Sequence, residues 1–222
     1  MNLAVAAVEH YNTILLNYDL ACPELDGWFG IKHSSSIEDF NKKDAGIMTL
    51  GKSLTPELAG KMIRRMKWGV EYLPAGNKLT NIGTPDFGEP AETVELFRKI
   101  IQLVKEQDQS VIIVNAGRDF EYPPAYAAIA EADVLVIPYT GNPFEGELIA
   151  QQLKELVRIK VEKPTVELLL VTGDMDIPKQ ICQRRVEIKV DYTTYIKAAQ
   201  EGEVYALSAG KREWERVLLE IL

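Results

Sequence analysis

The sequence predicts an α/β fold of three layers, a mostly parallel sheet between helices. Uninterrupted apolar runs such as Ile14-Leu15-Leu16, Val111-Ile112-Ile113-Val114 and Val134-Leu135-Val136-Ile137 have the pattern of strands buried on both faces. Segments with a helical apolar period separate them, most clearly Glu89 to Gln107, where Val94, Phe97, Ile101 and Val104 share one side. Polar residues gather just after the strands, as in Asn17-Tyr18-Asp19 and Asn115-Ala116-Gly117-Arg118-Asp119. Alternating strands and helices give a parallel sheet with right-handed crossovers, and ligands bind such sheets at the carboxyl ends of the strands.

The chain of 222 residues suits a single α/β domain spanning 1–222. Apolar residues make up 46% and charged residues 26%, as expected of a globular protein. The net charge of −8 argues against general nucleic-acid binding, which needs a basic face. Cys22 and Cys182 are far apart and show no metal-binding spacing, so a reducing cytoplasm is the expected compartment. No apolar run reaches membrane-spanning length, and the first residues do not read as a secretion signal.

In chain order, Met1 to Tyr11 reads as a short buried helix and Thr13 to Asn17 as the first strand. A loop with Pro23 and Gly27 as breakers follows. Lys32 to Lys43 is polar, with a short helical signal from Ser36. Thr55 to Met66 is expected to be a helix, with Thr55 as N-cap and Pro56 in its first turn. Val70 to Leu73 reads as a strand closed by Pro74-Ala75-Gly76, and a turn-rich loop covers 77–88. The helix from Glu89 precedes the strand Ser110 to Val114; Pro123 to Ala132 is a helix and Asp133 to Ile137 a strand. Helix Pro143 to Ile159, strand Thr165 to Val171, helix Ile177 to Arg185 and strand Val186 to Val190 follow. A helix opens at Asp191, and Arg212 to Leu222 closes the chain with Trp214, Val217, Leu218 and Ile221 on one side, a stripe expected to pack on the core.

Gly46 to Ser53 matches the phosphate-loop pattern G-x-x-x-x-G-K-[ST] through Gly46, Gly51, Lys52 and Ser53. That pattern works only between a strand and a helix. The preceding residues, HSSSIEDFNKKDA, are too polar for a buried strand, so a surface loop leading into a helix is the competing reading. His10 and His33 have no partner at ligand spacing, and Lys42-Lys43, Arg64-Arg65 and Arg184-Arg185 read as solvated pairs.

Several stretches together resemble the ParA/MinD group of P-loop ATPases, which includes the TadZ and CpaE pilus-localisation proteins. They are the strand tip Asn17-Tyr18-Asp19, the following Leu25-Asp26 and Gly30, the segment Leu73-Pro74-Ala75-Gly76, and the run Ala132-Asp133-Val134-Leu135-Val136. The resemblance implies a P-loop NTPase-like fold, with the chain entering it after the phosphate loop and the central strand. It implies ATP with Mg²⁺ as the cofactor and dimerisation across the nucleotide site. Asn17, Asp19, Asn115 and Gly117 fall at positions that line that site. Asp19 matches an acid that could orient the attacking water, whereas Asn17 and Asn115 replace acids, and an uncharged amide is a poor partner for hydrated Mg²⁺.

Three readings of function follow. One is a degenerate ParA/MinD/TadZ-like module that binds a protein partner or itself without hydrolysing ATP. Another is an ATPase of that family whose phosphate loop lies before Met1. The third is an enzyme of another class on a Rossmann-like sheet, although no G-x-G-x-x-G fingerprint occurs.

Overall fold

The computed structural model describes residues 1–32, 42–76, 86–107, 111–139, 142–158, 166–172, 184–208 and 210–222. His33, the helical signal at Ser36, the loop over 77–85 and most of the expected helix Ile177 to Arg185 lie outside the described residues. The chain packs as two compact units, one made of residues 1 and 7–128 and the other of 2–6 and 129–222.

The first unit is built around β1 (Thr13–Asn17), whose five residues are all buried. It lies between β3 (Glu71–Leu73) and β4 (Val111–Asn115) and runs parallel to both, with Leu15 opposite Tyr72 on one side and Ile113 on the other. The two-residue strand β2 (Arg64–Arg65) adds to β3 antiparallel, giving the order β2-β3-β1-β4. Helix α5 (Pro90–Lys105) supplies Phe97, Ile100, Ile101 and Val104 to a core shared with Ile14, Leu16 and Leu73 from the strands.

Tyr18, expected at an open polar tip, is instead fully buried in that core. Its ring stands edge-on to Phe97 at 4.7 Å and its hydroxyl donates to the Phe97 carbonyl at 3.1 Å. Burial holds the phenol in its neutral form, well above the usual titration range. Tyr18→Phe keeps the ring and removes one hydrogen bond, so a loss of about 1 kcal/mol is expected in urea denaturation.

Three local expectations shift. The loop after β1 contains a short helix, α2 (Glu24–Trp28), because the chain must turn Asp26 inward. The helix expected from Thr55 is α4 (Pro56–Met62), capped as predicted by Thr55, whose hydroxyl accepts from the Leu58 amide. It stops at Ile63 because Arg64 and Arg65 extend to form β2. The Arg64 guanidinium then donates to the carbonyls of Lys43 and Ala45, at 2.5 and 2.9 Å, so this arginine is tied down at its tip.

The second unit carries a parallel sheet in the order β5-β6-β7, from β5 (Val134–Tyr139), β6 (Val166–Thr172) and β7 (Arg184–Ile188). β7 begins two residues before the predicted strand, taking in Arg184 and Arg185. Helix α9 (Lys211–Ile221) buries Val217 against Val186 and Ile188, with Trp214 and Ile221 beside them, so the expected apolar stripe is core. Asp191 caps α8 (Tyr192–Gln200) by accepting from the Thr193 and Thr194 amides, at 3.1 and 3.3 Å. None of the described helices is long and apolar enough to cross a membrane.

Candidate functional site

β1 and β4 end side by side, because their register places Asn17 opposite Asn115. The Asn115 amide nitrogen donates to the Asn17 side-chain oxygen at 2.9 Å. After Asn115 the chain turns at Gly117, whose φ of 77° suits glycine. A Cβ at Gly117 would lie 3.0 Å from the Asp19 carboxyl carbon, so the glycine makes room for Asp19. The sequence-predicted positions Asn17, Asp19, Asn115 and Gly117 therefore do come together at one end of the sheet.

Asp19 is half-buried there, and its carboxylate accepts from the Cys22 amide at 3.0 Å. Tyr122 stands within reach of its field: burial, with the Asp19 charge adding to it, pushes the Tyr122 hydroxyl up to about 12. Asp119 serves its own loop, accepting from the Glu121 amide at 3.0 Å.

Asn17 faces the other way. It is completely buried, and its side-chain nitrogen donates to Asp26 and to the Tyr72 hydroxyl, each at 3.0 Å. Asp26 is also completely buried. One of its oxygens takes the Asn17 and Tyr72 donors and the Ala75 amide at 3.3 Å, while the other takes the Gly76 amide at 2.7 Å. Two successive backbone N–H groups thus cup the carboxylate, the arrangement that favours an anion. Burial, then the neighbouring Asp26 charge, keeps the Tyr72 hydroxyl protonated. Phe29 packs on the Tyr72 ring with centroids 4.2 Å apart.

The result is one polar chain, Asn115–Asn17–Asp26–Tyr72, half-buried at Asn115 and fully buried beyond it, that fastens β1, α2, β3 and the Pro74-Ala75-Gly76 turn together. Sequence reasoning noted Asp26 and the Leu-Pro-Ala-Gly segment as separate motifs and did not join them. A buried acid needs donors, and the N–H groups beside a glycine turn were the available signal.

The Gly46 to Ser53 stretch lies elsewhere. Residues Ile47–Leu50 form a helical turn, α3, and Gly51–Ser53 a tighter one, preceded by the short turn Lys42–Asp44 and not by a strand. The Ile47 and Met48 amides donate to the Pro74 and Ala75 carbonyls at 3.1 and 2.7 Å. The Lys52 ammonium pairs with Asp86 at 2.6 Å on the surface. The amides of Ile47, Met48 and Thr49 and the Lys52 ammonium are thus engaged with protein. Lys52→Ala is accordingly expected to leave the thermal melt of the chain unchanged, since exposed pairs contribute little.

Tested against ATP with Mg²⁺, the described residues do not compose a triphosphate cradle. Asn17 is saturated inside the protein, its neighbour Asn115 spends an amide donor on it, and Asp19 is the acid placed beside Gly117 at this end of the sheet.

Each unit carries a mostly parallel sheet, and the fold is shared with solved structures of ParA/MinD-type ATPases. No protein-family model and no curated protein sequence matches the chain. Solved structures do. A ParA family ATPase from Chlorobium tepidum TLS aligns at TM-score 0.65 and 18% identity, over 99% of this chain and 88% of that one. A chain of the MinC:MinD cell division protein complex of Aquifex aeolicus aligns at 0.68 and 15%, over 100% and 89%. A variant of Cyanothece McdA, solved as an ATP complex, aligns at 0.66 and 12%, over 100% and 92%.

Proposed function

We propose that this chain is a ParA/MinD/TadZ-like module that acts by binding protein and does not hydrolyse ATP. The observation that carries this reading is the Asn17–Asn115 amide pair at the ends of β1 and β4, locked into a buried hydrogen-bond chain. Neither side chain carries the charge needed to hold a hydrated metal ion beside a phosphate. The fold itself supports a partner-binding role, since a neighbour that shares it was solved as a MinC:MinD complex. A shared fold does not assign chemistry, so the reading rests on the strand-end residues. The partner is a protein, either of another kind or a second copy.

Phosphate release from Mg·ATP by the purified chain tests the catalytic half of this reading. Release at the level of the buffer blank is expected. Turnover above that level which disappears in Asp19→Ala would overturn it.

A further inference from the structure

The cations of this chain are unevenly placed. Residues 42–67 hold seven lysines and arginines against two acids, a net of +5 in a chain of −8, so the remaining residues carry −13. Of the two acids, Asp44 is buried and accepts the Lys32 amide at 3.1 Å, and Glu57 stands in the first turn of α4.

The fold brings five of these cations to β2. Arg64 and Arg65 form the strand, Lys61 lies in the last turn of α4 just before it, and Lys67 follows it. The Arg64 guanidinium reaches the Lys43 carbonyl, which places Lys43 alongside. Its carbonyl partners carry no net charge, so the positive charge of Arg64 persists. Lys43, Lys61, Arg65 and Lys67 are exposed. Glu71 lies opposite Arg65 across the sheet. One or two charges suffice to guard a short sheet edge against pairing, and this cluster exceeds that need.

A second observation falls on the same turn. The chain passes from β2 to β3 through Lys67-Trp68-Gly69, with the Gly69 amide donating to the Met66 carbonyl at 3.2 Å. Trp68 has a φ of 69°, a conformation that glycine or asparagine adopts far more readily than a bulky side chain. Such strain is kept where the residue itself is needed. The Trp68 ring stands edge-on to Phe29 with centroids 5.9 Å apart, yet it is only half-buried, and the Lys67 ammonium lies 4.8 Å from its centre. A Cβ at Gly69 would lie 3.8 Å from the Arg65 guanidinium, so Arg65 flanks this turn as well. Tryptophan and arginine are the residues in which binding energy concentrates at protein interfaces.

We propose that the β2–β3 turn and its cations form the partner-binding surface of this chain, and that they take up a short acidic segment of another protein, with an apolar residue of that segment set against Trp68. The proposal rests on the protein-binding half of the reading above and not on the absence of hydrolysis. Charge complementarity selects the occupant. A nucleic-acid duplex or an anionic bilayer extends well beyond the screening length of ~8 Å and meets the repulsion of the −13 remainder, whereas a short segment meets the patch alone. A second copy brings a like net charge of −8.

Fluorescence anisotropy tests this on the intact chain with a dye-labelled peptide of glutamates around one central leucine. Saturable binding that weakens as salt is raised is expected. Arg65→Glu with Lys67→Glu should weaken it by about tenfold or more while keeping the thermal transition, because attracting charges become repelling ones. Lys197→Glu with Arg212→Glu makes the same change of net charge in the second unit and should leave affinity within about twofold. Trp68→Gly, which suits the φ of the turn, should weaken binding by about fivefold or more. If the Arg65 and Lys67 variant fails to fold, NMR shifts of the amides over 64–69 in the wild-type chain on adding peptide still decide.

The proposal is overturned if the peptide does not bind, if those amides do not shift, or if the two pairs of reversals weaken binding equally. It is overturned in favour of a polyanion surface if duplex DNA or phosphatidylserine vesicles bind the wild-type chain more tightly than the peptide does. It is overturned in favour of a second copy if light scattering reports a dimer that Arg65→Glu with Lys67→Glu dissolves. ATP turnover in the separate assay would defeat the non-catalytic reading and leave the peptide result standing.

Discussion

Asp26→Ala is expected to destabilise the first unit by about 3–5 kcal/mol, the range seen when one partner of a buried charged cluster is removed. The carboxylate is completely buried and accepts from Asn17, Tyr72, Ala75 and Gly76, so its loss strands several donors away from water. Each stranded buried donor costs on the order of 1–3 kcal/mol, although relaxation and water entry keep the sum below simple addition. Asp26→Asn separates charge from shape. The amide fits the same space but turns a donor toward one of its former donors, so a smaller loss of roughly 2 kcal/mol is expected. Urea denaturation followed by tyrosine and tryptophan fluorescence reads both. A loss below about 1 kcal/mol for Asp26→Ala would mean that the cluster does not hold the strands and the turn together.

The second large effect belongs to the close approach of Gly46 and Gly76. A Cβ on Gly76 would fall 2.2 Å from the Gly46 nitrogen and 2.4 Å from its Cα, and the Gly76 φ of 76° is itself costly for any L side chain. A Cβ on Gly46 would lie 2.4 Å from the Pro74 carbonyl oxygen and 2.7 Å from the Gly76 nitrogen. Here the backbone is extended, so the clash alone is the penalty. In both cases the obstacle is main chain, which cannot swing aside as a side chain can. Gly76→Ala is expected to cost at least about 3 kcal/mol, from backbone strain and overpacking together. Gly46→Ala should cost somewhat less. Gly27→Ala is the internal control, because nothing lies within 4 Å of the added carbon and the residue sits in α2. It should be neutral or stabilising by up to ~1 kcal/mol. Comparable melts for Gly76→Ala and Gly27→Ala would contradict the packing of these two turns.

These two predictions also show which features the sequence reveals and which it hides. The apolar runs of β1, β4 and β5 and the one-sided period of α5 are local patterns, and each is close to its predicted place. The cap at Thr55 is likewise a local signal, and the structure shows its hydrogen bond. The Asp26 cluster joins residues 9, 46 and 50 positions apart, and the Asn17–Asn115 pair spans 98 positions. Such contacts depend on strand register, which one chain read alone does not supply. The match at Gly46 to Ser53 misled in the opposite sense. Its letters satisfy a phosphate-loop pattern, but what selects glycine at position 46 is contact with the turn at 74–76. Tyr18 was read as polar from its place in the chain, whereas the core accommodates its ring and a carbonyl satisfies its hydroxyl.

Calorimetric titration of the chain with Mg·ATP reaches the central claim most directly, because it asks for binding before turnover. The strand-end geometry predicts no heat beyond dilution, and the same trace for Lys52→Ala. A saturable heat at one nucleotide per chain that vanishes in Asp19→Ala would contradict it.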